Sequence, residues 1–139
     1  MKKRTPIASI MTKDVITLNH SDDLETAEHL FKSKKIRHIP VVSGTAIIGM
    51  LSYTDLLRIS FADSIGEDED SVDTTVYNMF TLEQVMAKNV ISIESSTTIK
   101  KVAEILAKKE FHALPVVDDG ELVGIVTTTD LINYLIEQF

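Results

Sequence analysis

A chain of 139 residues with an apolar fraction of 44% is long enough for one compact domain and apolar enough to give it a core. Its formal net charge of −7 argues against general binding to nucleic acid or to an anionic membrane, while leaving room for a local basic pocket. The absence of cysteine excludes a disulfide framework and thiolate chemistry, and fits a reducing compartment.

Residues 1–7 read as a loose basic arm, with Met1-Lys2-Lys3-Arg4 followed by Pro6 instead of an apolar signal core. No apolar run approaches the length of a membrane span. The expectation is a soluble cytoplasmic protein. After Ile10-Met11, Val15-Ile16-Thr17-Leu18 predicts a short strand. Asp22 and Glu25 have the spacing of a capping box, and Leu24, Ala27, Leu30 and Phe31 then fall on one helical face. Lys32 to Lys35 close that helix with positive charge, which suits a helix C-terminus. Two strands follow, Ile36–Val42 and Ile47–Leu51, and a second helix begins near Leu56.

The pattern then recurs. Pro115 follows Pro40 by 75 positions (115 − 40), and the same offset relates Gly49 to Gly124, Asp55 to Asp130 and Met11 to Met86. The offset holds without a gap from Met11 to Leu56, so the chain carries a long-period internal repeat. In the second copy Val90–Ile93 is the first strand, and Ile99, Val102, Ala103 and Leu106 form the helical face. Asp119-Gly120 is the hairpin turn, and the last helix starts near Leu131. Each half reads strand–helix–strand–strand–helix. The predicted boundaries are 8–58 and 83–139, with an acidic linker over 59–82. The strands Ile47–Leu51 and Leu122–Val126 are apolar on both faces, so each sheet needs cover on both sides. The expected fold is α+β, with the halves packed sheet to sheet about a pseudo-two-fold axis.

The residues that carry chemistry lie where a strand gives way to a helix. Ser52, Thr54 and Asp55 share the pattern hydroxyl–x–hydroxyl–carboxylate with Thr127, Thr129 and Asp130. A carboxylate can accept from ribose hydroxyls, and hydroxyls beside helix N-terminal amides suit a phosphate. The competing reading is helix capping, for which Ser, Thr and Asp are preferred. A cap needs only one such residue, and the full pattern occurs twice. Arg37, His38 and His112 stand just before the Pro-Val-Val strands, where cationic donors fit phosphate contacts; the competing reading is a solvated Arg and satisfied His side chains. Gly49 and Gly124 sit mid-strand, where a missing side chain permits close approach of backbone or ligand. No nucleophile elbow, His-Glu-x-x-His or phosphate-binding P-loop is present, and the histidines lack metal-site spacing.

Met86-Ala87-Lys88-Asn89-Val90-Ile91, His112-Ala113-Leu114-Pro115-Val116-Val117 and Gly124-Ile125-Val126-Thr127-Thr128-Thr129-Asp130, with their counterparts in the first copy, resemble a tandem pair of CBS domains. The module is named after cystathionine beta-synthase. The resemblance implies a regulatory module, not an enzyme, that binds AMP, ADP or ATP in clefts between the repeats. It implies ribose contacts at Asp55 and Asp130, with hydroxyl contacts at Ser52, Thr54, Thr127 and Thr129. Arg37 and His112 would face phosphate. The adenine would lie against Ile16, Ile36, Ile91 and Phe111, with Phe111 narrowing one pocket and Tyr53 crowding the other. No cofactor is required beyond the regulatory nucleotide, with or without Mg²⁺, and a homodimer is implied. Two other readings stand beside it. Glu67, Asp68, Glu69, Asp70 and Asp73 offer oxygen ligands for Mg²⁺ or Ca²⁺ sensing. The pair is alternatively a structural dimerisation module with degenerate pockets.

Overall fold

Apolar β-branched runs separated by two-residue turns give the molecule its two hairpins. A computed structural model describes residues 4–63, 77, 79–109 and 111–139. Five strands are present among them: β1 (Leu18–Asn19), β2 (His38–Ser43), β3 (Ala46–Ser52), β4 (Ala113–Asp118) and β5 (Glu121–Thr127). β2 pairs antiparallel with β3, from His38 opposite Ser52 to Ser43 opposite Ala46. β4 pairs with β5 in the same register 75 residues on, from Ala113 opposite Thr127 to Asp118 opposite Glu121. Even the irregularity recurs, between Val41 and Val42 in one hairpin and between Val116 and Val117 in the other. Asp119 and Gly120 both have positive φ, 51° and 80°, as a turn matched to strand twist requires.

The helices are α1 (Leu24–Lys34), α2 (Tyr53–Asp63), α3 (Leu82–Val85), α4 (Ile99–Lys108) and α5 (Thr128–Glu137). The cap of α1 is one residue from its predicted place. Asp23, not Asp22, accepts from the Thr26 amide at 2.8 Å and from the Thr26 hydroxyl at 2.7 Å. These bonds hold the Asp23 carboxyl below its ordinary range. Asp22 instead accepts from the Asn19 amide at 2.8 Å, because the helix begins only at Leu24. Thr98 caps α4 through the Lys101 amide at 3.1 Å.

The predicted first strands are shorter than expected. In the first repeat only Leu18 and Asn19 join the sheet, parallel to Val41 and Val42. In the second repeat Ile93 alone bridges to Val116. The residues before them are engaged elsewhere. Thr12 and Ile125 exchange backbone hydrogen bonds of 2.8 and 2.9 Å, and Met50 and Ala87 exchange bonds of 3.0 and 2.9 Å. The leading segment of each repeat thus pairs with the hairpin of the other.

The chain accordingly divides into two compact units that are out of step with the repeats: Ile16–Asn89, and Met1–Val15 with Val90–Phe139. The first has a core of Leu18, Leu24, Phe31, Ile39, Val41, Leu51, Leu56, Tyr77 and Met86, among others. The second is built on Ile7, Ile93, Val102, Leu114, Val116 and Val126. Full burial of side chains of this size stabilises by about 1.5–3 kcal/mol each. Both faces of the hairpin strands contribute to burial, as their continuous apolar runs predict.

Tyr77 docks the end of the inter-repeat segment onto the first unit. Its ring joins the core, and its hydroxyl donates to Glu28, which also takes Lys32 Nζ at 2.6 Å. Burial works to raise the Glu28 carboxyl, but the hydrogen bonds from Lys32 and Tyr77 and the Lys32 charge outweigh it and hold it below its ordinary range.

Candidate functional site

Two strand-to-helix junctions carry the hydroxyls and carboxylates. At the first, β3 ends at Ser52 and α2 starts at Tyr53. The Asp55 amide donates to Ser52 Oγ at 3.0 Å, and the Ser52 amide donates to Asp55 Oδ2 at 3.2 Å. At the second, the Asp130 amide donates to Thr127 Oγ1 at 3.1 Å, and the Thr127 amide donates to Asp130 Oδ2 at 2.9 Å. These are reciprocal capping boxes. The capping role weighed for these residues is therefore filled, and by only one oxygen of each carboxylate.

The remaining oxygen is Oδ1. On Asp55 it faces Arg58 Nη1 at 3.5 Å, one helical turn along α2. On Asp130 no bond reaches it from the described residues. Both carboxylates are half-buried, and the hydroxyl-bearing Thr54 and Thr129 are exposed at the start of their helices.

The residues before the Pro-Val-Val strands come to the same ends of the sheets. The Arg37 carbonyl accepts from the Tyr53 amide at 2.9 Å, and His38 stands opposite Ser52 in the ladder. The His112 carbonyl accepts from the Thr128 amide at 2.9 Å, and Ala113 stands opposite Thr127. The first unit thereby gathers Arg37, His38, Ser52, Thr54 and Asp55, and the second gathers His112, Thr127, Thr129 and Asp130. Arg37 and His112 are exposed, and His38 is half-buried. Of the expected adenine contacts, Ile16 and Ile36 are half-buried, while Ile91 and Phe111 keep 40% and 39% of their surface exposed. Ile91 and Phe111 are thus exposed apolar surface in the second unit. Tyr53 turns into the first unit, where its ring meets Phe31 edge-on at 5.3 Å.

Arg58 was not among the residues singled out from the sequence. Its signal was there: it lies three residues after Asp55, a spacing that brings helical side chains together. The acidic residues Glu67, Asp68, Glu69, Asp70 and Asp73 lie outside the described residues. Among the described residues no group of three or more His, Asp or Glu side chains is placed to hold a metal ion, and no helix is long and apolar enough to cross a membrane.

The glycines mark close backbone approach. A Cβ on Gly124 would lie 2.7 Å from Met11 Sδ and 3.0 Å from the Thr12 carbonyl oxygen. A Cβ on Gly49 would strike Met86 Sδ and lie 2.9 Å from the Ala87 carbonyl oxygen.

The family model described as "CBS domain" matches residues 7–62 and 82–137. The chain belongs to the CBS domain family. It is 31% identical over 137 residues to a homoserine O-acetyltransferase from Methanohalobium evestigatum, covering 97% of this chain and 25% of that protein. The CBS domain pair of protein MJ0100, solved in complex with 5-methylthioadenosine and S-adenosyl-L-methionine, is 25% identical with a TM-score of 0.81, covering 97% of this chain and 98% of that one. CBSX2 of Arabidopsis thaliana, solved in complex with AMP, shares the fold at 22% identity and a TM-score of 0.78, covering 96% and 98% of the two chains. The chain spans from about a quarter to just under half the length of the first curated relatives it matches. The part it shares with the acetyltransferase is thus a quarter of that protein, so the enzyme name does not transfer. A paired CBS module of mixed α+β structure is what the sequence, the fold and the relatives have in common.

Proposed function

We propose that this CBS pair, with repeats at residues 8–58 and 83–139, is a regulatory module that binds adenosine-containing ligands and performs no catalysis of its own. AMP, ADP and ATP are the expected ligands. The observation that carries the reading is the doubled junction, in which each carboxylate gives Oδ2 to its helix cap and keeps Oδ1 for a second donor. Ribose hydroxyls are donors of the right kind for that oxygen. Ser52, Thr54, Thr127 and Thr129 supply further polar contacts, Arg37, His38 and His112 supply phosphate donors, and Ile16, Ile36, Ile91 and Phe111 supply apolar surface for the base. The MJ0100 complex supports an adenosine moiety as the shared ligand element.

The test is a melting curve of the full chain with millimolar AMP, ADP, ATP and 5-methylthioadenosine, with and without Mg²⁺. A ligand at a hundredfold excess over Kd raises native stability by ~2.7 kcal/mol. Stabilisation by any of these compounds, absent with inorganic phosphate or ribose alone, is the expected result. No shift with any of them, in protein shown to be free of bound nucleotide, sinks the reading.

A homodimer belongs to the same proposal. Ile132, Leu135, Ile136 and Phe139 on or just past α5 are exposed, as is Leu57 on α2. Helical faces of this kind suit a second copy of the chain.

A further inference from the structure

The two junctions share a reciprocal capping box but differ in charge. Arg58 sits against Asp55, and the residue 75 positions on, three after Asp130, is Asn133. Arg37 stands before the first hairpin where His112 stands before the second. A guanidinium is charged at every working pH, and its planar fork suits phosphate oxygens. The Asp55 set therefore has two permanent cations for one carboxylate. The Asp130 set has none.

We infer that Arg58 makes the Asp55 junction selective for phosphate-bearing adenosine ligands, while the Asp130 junction accepts uncharged ones such as 5-methylthioadenosine. This rests on the adenosine-binding reading above. Arg58 is 72% exposed, so its pairing with Asp55 is weak and readily exchanged. When ribose hydroxyls take Asp55 Oδ1, the guanidinium is released on a long stem beside the ligand. A phosphate then replaces the carboxylate as its partner. A neutral ligand offers no such replacement and has only displaced an ion pair. At Asp130 there is no pair to displace, and no guanidinium to reward a phosphate.

The experiment isolates each junction in the full chain. Asp130→Asn weakens the second and leaves the first to be read, and Asp55→Asn does the reverse. Calorimetric titration with AMP and with 5-methylthioadenosine gives an affinity ratio for each background. The AMP preference is expected to be greater in the Asp130→Asn protein. Adding Arg58→Asn there lowers the ratio about fivefold, the size of an exposed ion pair. Adding Asn133→Arg to the Asp55→Asn protein raises it by a similar factor. A ratio unmoved by either change overturns the role of Arg58 but leaves adenosine binding intact. Equal loss of both ligands on Arg58→Asn, with an unchanged melting curve, overturns it too, because selectivity requires the two to respond differently. If the unsubstituted chain binds neither compound, the role of Arg58 falls, and the adenosine-binding reading falls with it only where ADP and ATP fail as well.

Discussion

Met86 of the second repeat lies against Gly49 of the first, leaving no space for a Cβ on the glycine. Met11 and Gly124 repeat the relationship with the roles of the two repeats exchanged. The glycines are where the backbones of Thr12 and Ala87 cross the hairpins, at the paired bonds to Ile125 and Met50. The mid-strand glycines thus admit backbone, one of the two options their position suggested.

Gly49→Ala is expected to destabilise the chain by ~1–3 kcal/mol, the range for overpacking. Gly124→Ala is expected to cost less, because its closest neighbours stand farther off. A methionine can swing aside, whereas the Ala87 carbonyl is fixed by its bonds to Met50. Met86→Ala in the Gly49→Ala background should therefore restore little. Urea denaturation of the three variants checks the order, and full recovery by Met86→Ala would place the clash on the side chain alone.

Asp55→Asn and Asp130→Asn separate capping from ligand contact. Asparagine keeps one oxygen, enough to accept from the Ser52 or Thr127 amide. Apo stability is expected to change little. The lost charge and second acceptor are expected to weaken nucleotide binding about ten- to a hundredfold, the value of a hydrogen bond to a charged group. Ser52→Ala and Thr127→Ala should do the opposite in part, removing the cap and lowering apo stability by ~0.5–2 kcal/mol. Melting curves without ligand, set beside calorimetric titrations, distinguish the two patterns. Unchanged affinity in both asparagine variants returns the aspartates to capping alone.

Glu28 and Asp118 predict acid sensitivity. Asp118 accepts from the Ser95 hydroxyl at 2.6 Å and from the Ser95 amide at 2.9 Å, and these bonds hold its carboxyl below the ordinary value of 3.8. Glu28 is likewise held below 4.5. A carboxyl lowered by folding stabilises the native state above its unfolded value, and that contribution is lost as pH falls through the folded one. The unfolding free energy is therefore expected to decline below about pH 4.5, a window given by these ordinary values. Glu28→Gln and Asp118→Asn should each flatten that decline. Equilibrium denaturation at pH 7, 5, 4 and 3 reads it directly, and an unaltered slope in the double variant would assign acid sensitivity to other groups.

The exposed apolar residues of α5 predict self-association. Ile136→Asp together with Leu135→Asp should convert a dimer to a monomer without altering the melting curve at low concentration, since neither residue belongs to a core. Sedimentation velocity at micromolar concentration is the measurement. A monomer in the unsubstituted chain sets the homodimer aside.

The repeat made the hairpins, their turn and the junction residues legible in sequence, because a 75-residue offset with matched Pro, Gly and Asp fixes register without reference to propensity. Three features were not legible. The offset is identical for Met11 and Met86, so it cannot say which hairpin either one joins. The cap of α1 moved from Asp22 to Asp23 because two adjacent aspartates satisfy the same local rule, and only the start of the helix at Leu24 chooses between them. Arg58 is outside the repeated pattern, because its counterpart 75 residues on is Asn133.

The crossed pairing has a consequence for synthesis. Ile16–Asn89 is continuous in the chain and can close on itself once the leading segment of the second repeat is made, before the rest of that repeat follows. Thr12 must wait for Ile125, 113 positions later (125 − 12), before its bonds can form. During that wait Ile7, which has no surface exposed in the finished fold, has no core to enter. Long-range closures of this kind slow folding, because the intervening chain must be ordered first. Ile16–Asn89 can therefore settle before Ile7 and Thr12 meet the strands they pack and pair with.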